Sequence, residues 1–364
     1  MILKPTTPEE VSDIVRAHRA LRPVAGRSKP ALSMACAEAT MVDVSALSGV
    51  IEYQPEECTF TALAGTPVSE IDRSLAQQRQ YLPFDPPFSV RGATLGGTVA
   101  SGLSGPLRYR YGGVRDFLLG ARFVDGEGQI VRSGGKVVKN AAGFYLHHLL
   151  IGSLGRLGVL LDLTFKVFPL PEAMTTVVAS YPTLAEALAA LDGLRRSSFE
   201  PAAIDVLPPG TLYTRLAGIA ETLPKRAEAL ERYLNVDTER LNGLEEETFW
   251  RDARQLAWVA PDAALVKIPV TPARMTALDE ALATDGVARR YSGGGEVAWI
   301  AWPGPLATLD TLLDTLQLSG LLVIDAAGAT RPRLDPRMGV RPGEPFLARA
   351  RQALDPNGRF TARS

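Results

Sequence analysis

The stretch that decides the fold runs from Pro83 to Gly113 and reads PFDPPFSVRGATLGGTVASGLSGPLRYRYGG. Its glycines and prolines are too frequent for a continuous helix. One run, Leu95–Ala100, can still turn as a short helix, so the stretch reads as a long ordered loop interrupted by it. Long irregular loops inside compact domains are usually functional. Glycines cluster at three places in this half of the chain: Gly26; Gly92, Gly96, Gly97, Gly102 and Gly105; and Gly152, Gly155 and Gly158. A glycine lets backbone N–H groups approach an anion with no Cβ in the way. Gly96-Gly97-Thr98 opening a helix would add the positive helix end. Ser28, Thr98, Ser101 and Ser104 can donate further hydrogen bonds. The two phosphates of a dinucleotide need several such donors. The rival reading is that glycines simply mark turns, as Gly126 and Gly128 do.

Upstream, Thr7, Pro8 and Glu10 spell a helix start with a capping box, and Val11, Ile14 and Val15 give an apolar face to about Leu21. Strands are expected at Pro23–Ala25, Met41–Val44, Val50–Tyr53 and Thr59–Leu63. Pro67 can open a helix to about Gln78. Downstream, Phe117–Val124 and Ile130–Arg132 should form a hairpin around Asp125-Gly126-Glu127-Gly128. A helix at Tyr145–Leu150 and a strand at Leu160–Phe168 follow. Pro169 and Pro171 stop that strand, and the domain boundary is placed there.

The remainder changes style. Strand and helix candidates at Thr176–Ser180, Leu184–Leu194, Ala203–Val206, Leu212–Leu216 and Lys225–Leu234 form a first series. Those at Ala264–Val270, Ala273–Ala283, Val297–Ala301, Leu306–Leu318 and Leu322–Asp325 form a second. Two rounds resembling β-α-β-β-α-β suggest an antiparallel sheet with helices on one face. A Glu-rich insertion, Glu245–Glu247, interrupts them. Pro345–Asp355 reads as a last helix, ended by Asp355-Pro356-Asn357-Gly358. The expected organisation is residues 1–171, residues 172–335 as a cap on the substrate side, and a tail, 336–364, returning to the first domain.

Composition excludes several chemistries. The chain has 364 residues and a formal net charge of −1, with no basic block, which argues against nucleic acid. Two distant cysteines, Cys36 and Cys58, give no disulfide framework, no four-cysteine iron–sulfur cluster and no cysteine–histidine zinc site. No GxGxxG follows the first strand of a βαβ unit, and no GxxxxGK[ST] occurs. No Ser-His-Asp or Cys-His pattern has a diagnostic spacing. No apolar run is long enough for a signal peptide or a membrane span, so a cytoplasmic protein is expected, with membrane attachment only through partners.

Single residues stay open. Arg115-Asp116 could contact a phosphate or form a surface salt bridge. Lys139-Asn140 could stabilise negative charge or be solvated. His147 and His148 are adjacent, about 100° apart on a helix, and do not suit one chelate. Trp250, Trp258, Trp299 and Trp302 fall in the second half, where most should be core and one or two could face a partner.

These residues resemble the FAD-linked oxidases of the vanillyl-alcohol oxidase type, and among them the smaller FAD-binding (E) subunits of bacterial glycolate oxidases. The resemblance is dense from Pro83 to Pro171 and includes LLIGSLGRLGVLLDLTFKVFPLP; QALDPNGRF matches the closing motif. It implies an α+β chain: a two-lobed FAD-binding domain followed by a ferredoxin-like cap. It implies Gly26, Arg27 and Ser28 as a first pyrophosphate loop, with fewer glycines than usual, and Gly96, Gly97, Thr98 and Ser101 as a second. Gly155, Gly158 and Val159 would lie near the adenosine. Arg115 and Asp116 match an Arg-Asp element bordering the flavin fold, and Lys139, Asn140 and Gly143 a Lys-(Asn/Asp)-x-x-Gly element. The absence of a histidine near the first loop points to non-covalent FAD. The implied activity is oxidation of glycolate, a small 2-hydroxy acid, to glyoxylate. The implied partners are a larger FAD-binding catalytic subunit and an iron–sulfur subunit. A non-catalytic or electron-relay subunit keeping the flavoprotein fold is the alternative. No catalytic residue and no metal site is assigned.

Overall fold

The computed structural model describes residues 1–33, 39–135, 145–283, 286–325 and 335–360. It is an α+β chain. Helix α1 (Pro8–Ala17) starts where the capping signal puts it, with Thr7 Oγ1 accepting from the Glu10 N–H at 3.2 Å. The Glu10 carboxylate accepts instead from the N–H of Thr6, at 2.6 Å. The helix ends at Ala17 rather than near Leu21, because His18 is extended and Leu21 opens a strand. Strands β1 (Ile2–Leu3), β2 (Leu21–Val24) and β3 (Thr40–Asp43) form a parallel sheet in the order β1-β3-β2.

A second, antiparallel sheet contains β4 (Val50–Gln54), β5 (Thr59–Leu63), β6 (Leu118–Val124), β7 (Ile130–Gly134) and β8 (Val159–Lys166), in the order β4-β5-β8-β6-β7. The β6–β7 hairpin forms as its turn residues dictate: Asp125 Oδ1 accepts from the Glu127 and Gln129 N–H groups, both at 2.9 Å. Helix α2 (Val68–Ala76) and the short α3 (Leu95–Ser101) pack on this sheet through Ile71, Leu75, Leu95 and Val99.

The second half realises the double β-α-β-β-α-β pattern. The first round is β9 (Ala173–Ser180), α4 (Leu184–Arg196), β10 (Ala203–Leu207), β11 (Thr211–Gly218), α5 (Leu223–Leu234) and β12 (Thr238–Asn242). After α6 (Gly243–Gln255), the second is β13 (Ala264–Pro269), α7 (Pro272–Ala283), β14 (Ala288–Ser292), β15 (Val297–Trp302), α8 (Leu306–Thr315) and β16 (Ser319–Ile324); β17 (Arg337–Gly339) adds an edge. All nine strands join one sheet, β12-β9-β11-β10-β14-β15-β13-β16-β17, and the two rounds meet at the single pair Val206–Tyr291. Leu191, Leu230, Leu278 and Leu309, one from each of four helices, bury with Val177, Leu212 and Ile300 on one sheet face. The opposite face carries Thr176, Asp205, Arg215, Arg290 and Trp299, and looks towards the first half. Strands β12 and β14 and helix α6 escape a reading by apolar periodicity, because TERLN, ARRYS and GLEEETFWRDARQ are rich in charge and two of those charges, Glu246 and Arg290, take inward positions.

The C-terminal helix α9 (Glu344–Leu354) is followed by contacts with the first half. Leu21 N–H donates to the Arg359 carbonyl at 2.7 Å, Gly126 N–H donates to that of Leu354 at 2.7 Å, and Phe360 is buried in the cluster holding Val11 and Val15.

Candidate functional site

An open cleft lies between the parallel sheet and the α3 side of the antiparallel sheet. Three segments line it: the loop after β2, the start of α3, and the turn before β8. The structure thus brings together Gly26, Arg27, Ser28, Gly96, Gly97, Ser101, Gly155, Gly158 and Val159.

The glycines act mainly by allowing close backbone approach. A Cβ on Gly26 would stand 1.8 Å from the Gly92 carbonyl oxygen, so this glycine locks the first loop onto the second. A Cβ on Gly96 would stand 2.9 Å from Ala64 Cβ. The helix-end donors expected at α3 are already engaged. Gly96 N–H donates to the Ala64 carbonyl at 2.7 Å, Gly97 N–H to Thr94 Oγ1 at 3.2 Å, and Thr98 N–H to the Thr94 carbonyl at 2.9 Å. Thr98 does not line the cleft, and its hydroxyl is buried without a partner. Ser101 does line it and donates to the Thr98 carbonyl at 3.0 Å.

The charge in the cleft comes from Lys29, which the sequence reading did not single out. Its side chain is buried, with Nζ 3.1 Å from Ser28 Oγ and 5.8 Å from the centre of the Phe88 ring. No carboxylate pairs with it among the described residues. Burial alone pushes the amine down from 10.5 to about 8. An unpaired buried ammonium is costly, and an anion entering the cleft would relieve that cost. Neighbouring Arg27 adopts a left-handed φ of 49° and reaches Asp43 at 3.6 Å, a half-exposed pair of modest worth. The buried ammonium of Lys29 and the hydroxyls of Ser28 and Ser101, brought together in one cleft, fit a phosphate-bearing ligand.

Other expected residues fall elsewhere. Arg115 and Asp116 are exposed on a single helical turn and do not line the cleft; Asp116 Oδ2 accepts from the Gly113 N–H at 2.8 Å. Lys139, Asn140 and Gly143 lie outside the described residues. His147 is buried against Ser133, with Nδ1 3.0 Å from Oγ, and burial pushes the imidazole down to about 4. Glu246, in the Glu-rich insertion, is buried and takes a two-pronged contact from Arg215 at 2.7 and 3.0 Å.

Residues 1–134 match the family described as FAD binding domain. FAD is accordingly the cofactor of this chain. The glycolate oxidase subunit GlcE of Escherichia coli strain K12 is 46% identical over 132 residues, covering 36% of this chain and 38% of that protein. The glycolate oxidase subunit GlcD of Bacillus subtilis strain 168 is 30% identical over 166 residues, covering 46% of this chain and 35% of that one. The chain thus spans less than half the length of either relative. Alkyldihydroxyacetonephosphate synthase superposes with a TM-score of 0.72 at 17% identity, over 100% of this chain and 76% of that one. That likeness shows the fold, the two-lobed FAD-binding fold of the vanillyl-alcohol oxidase type with its cap. Among the described residues no helix is long and apolar enough to cross a membrane.

Proposed function

We propose that this chain is the FAD-carrying subunit of a 2-hydroxy-acid oxidoreductase of the glycolate oxidase type. Residues 1–171 hold the flavin, 172–335 form the cap over it, and 336–364 tie back to the first part. The observation that carries the reading is the unpaired Lys29 buried in a cleft bordered by both glycine loops and the Gly155–Val159 turn. In this role Lys29 and the Ser28 hydroxyl face the pyrophosphate, while Gly26, Gly96 and Gly97 keep the two loops close. Arg27 orders the first loop through Asp43. Ser101 borders the same cleft, and Thr98 supports α3 from behind. Gly155, Gly158 and Val159 shape the adenosine end. Arg115 and Asp116 would border the flavin side, outside the cleft described above. None of the described residues lining the cleft is a histidine or cysteine, which favours non-covalent binding.

Bound FAD supplies a two-electron acceptor. Oxidising glycolate to glyoxylate releases two electrons and two protons, and the electrons leave through a larger FAD-binding subunit and an iron–sulfur subunit. The resemblance to GlcE and GlcD supports that assembly, whose membrane contact would run through partners. The test is purification of the full chain, release of flavin by denaturation, and anaerobic addition of glycolate without partners. A yellow chain that glycolate bleaches supports catalysis here. A yellow chain that stays oxidised assigns it an electron-relay or structural role. A folded chain that ignores added FAD refutes the reading.

A further inference from the structure

Helix α6 is anchored at its start to the cap and at its end to the first half. Glu246 is buried and accepts from Arg215 Nε at 2.7 Å and the Thr176 hydroxyl at 3.1 Å, and Trp250 Nε1 donates to Thr176 Oγ1 at 2.7 Å. Thr176 and Arg215 belong to strands β9 and β11 of the cap sheet. The last turn of the helix then reaches the loop Asp85–Gly92. Arg254 lies 3.4 Å from the carboxylate of Asp85 and 3.8 Å from that of Asp72. Gln255 is 5% exposed; its Nε2 donates to Ser89 Oγ at 2.9 Å, and its Oε1 accepts from the Val90 N–H at 3.4 Å. Leu256 is buried in the same apolar cluster as Phe88. Three consecutive residues of the second half thus grip one loop of the first.

That loop has to be held. Asp85 and Phe88 have left-handed φ angles of 57° and 65°, a region that residues other than glycine keep only where surrounding contacts fix it. The same loop borders the candidate FAD site. The centre of the Phe88 ring lies 5.8 Å from Lys29 Nζ, and the Gly92 carbonyl abuts Gly26, where a Cβ would stand 1.8 Å from its oxygen. Direct contacts therefore run from the cap sheet through α6 and the Phe88 loop to the buried ammonium. We propose that Gln255 is a positioning residue for the FAD site: by holding Ser89 and Val90 it keeps Phe88 beside Lys29, so that flavin affinity depends on how the cap is seated. Taking the cleft as an FAD site rests on the function proposed above; the clamp itself rests on the contacts of the α6 terminus.

The test uses the full chain with Gln255→Leu, alone and combined with Ser89→Ala, which removes the hydroxyl that the first change leaves unpaired. FAD affinity is measured by fluorescence quenching. The titration of Lys29 is followed by trace acetylation with acetic anhydride between about pH 6 and pH 11, read on the Lys29 peptide by mass spectrometry. Losing both hydrogen bonds to the loop should weaken FAD binding roughly tenfold. In a Lys29→Met background the same change should stay within about twofold, because its route to the flavin is gone. Loosening the loop lets water reach the amine, so its titration midpoint should move up from about 8 towards 10.5. Variants that bind FAD within about twofold of the wild-type chain, or that weaken binding equally in both backgrounds, overturn the proposal. A wild-type chain that binds no FAD sinks the function proposed above. The Lys29 midpoint then decides the clamp by itself, supporting it by rising in both variants and overturning it by staying in place.

Discussion

Lys29→Met should move apo-protein stability and FAD affinity in opposite directions. In the folded chain burial holds the amine at about 8, against 10.5 unperturbed, a difference worth about 3 kcal/mol. The sign follows from proton counting. Below about pH 8 both folded and unfolded chains carry the proton, and the folded chain bears the full cost of a buried charge. Between about pH 8 and 10.5 only the unfolded chain is protonated, so stability rises with pH. Methionine removes that cost and should stabilise the flavin-free chain at pH 7 by up to about 3 kcal/mol. The same change removes a charge-assisted contact to phosphate, worth about 1.5–3 kcal/mol, so FAD affinity should fall roughly 10- to 150-fold. Wild-type affinity should also depend on pH. A phosphate beside the ammonium keeps it protonated, so FAD must bring a proton to a chain already neutral at Lys29; affinity should drop about tenfold between pH 7 and pH 9. The assays are thermal melting of the apo chain and titration of FAD by fluorescence quenching at several pH values. Wild-type affinity that stays flat from pH 7 to 9, or a methionine variant that binds FAD within twofold of wild type, refutes the reasoning.

Three further outcomes follow from the packing. Gly26→Ala must displace the Gly92 carbonyl, 1.8 Å from the new methyl, and should cost about 1–3 kcal/mol in stability with loss of bound flavin on gel filtration. Glu246→Ala leaves Arg215 buried and unpaired and should cost about 3–5 kcal/mol in denaturant unfolding; a smaller loss would mean that the pair is solvated. His147 binds its proton less readily in the folded chain, at about 4 rather than 6.5, so stability should fall as pH drops between those values. His147→Gln should flatten that fall in melts taken from pH 7 to pH 4.

The double β-α-β-β-α-β pattern was legible because apolar residues repeat at helical and strand periods, as in Leu184, Leu188 and Leu191 or Val177 and Ala179. Strand β14 was not, because ARRYS lacks an apolar alternation and takes its place through the ion pairs of Arg289 with Asp279 and Arg290 with Asp205. The same limit hid Lys29. A lysine after Gly-Arg-Ser looks solvated, and only the fold, with Phe88 brought beside it, makes it a buried cation. The glycine clusters were found at the right places for a partly different reason. They were expected to expose N–H donors, whereas Gly26 and Gly96 chiefly let backbones touch.

That difference changes where specificity for an anion has to come from. A loop rich in glycine can surround a pyrophosphate with backbone donors that carry no net charge and do not titrate. Here the first loop has one glycine, Gly26, spent on contact with Gly92, and the first turn of α3 has its donors spent on Ala64 and Thr94. Neutralisation then falls to a side chain, and a buried lysine supplies it at a cost to the empty fold. Flavin and fold become coupled: the chain is relieved of strain when the anion enters, and cofactor loss at high pH and low apo stability at neutral pH trace to the same ammonium. A first loop with more glycines and no lysine would lack both traits, which makes the pH dependence of FAD binding a property of this loop rather than of the fold.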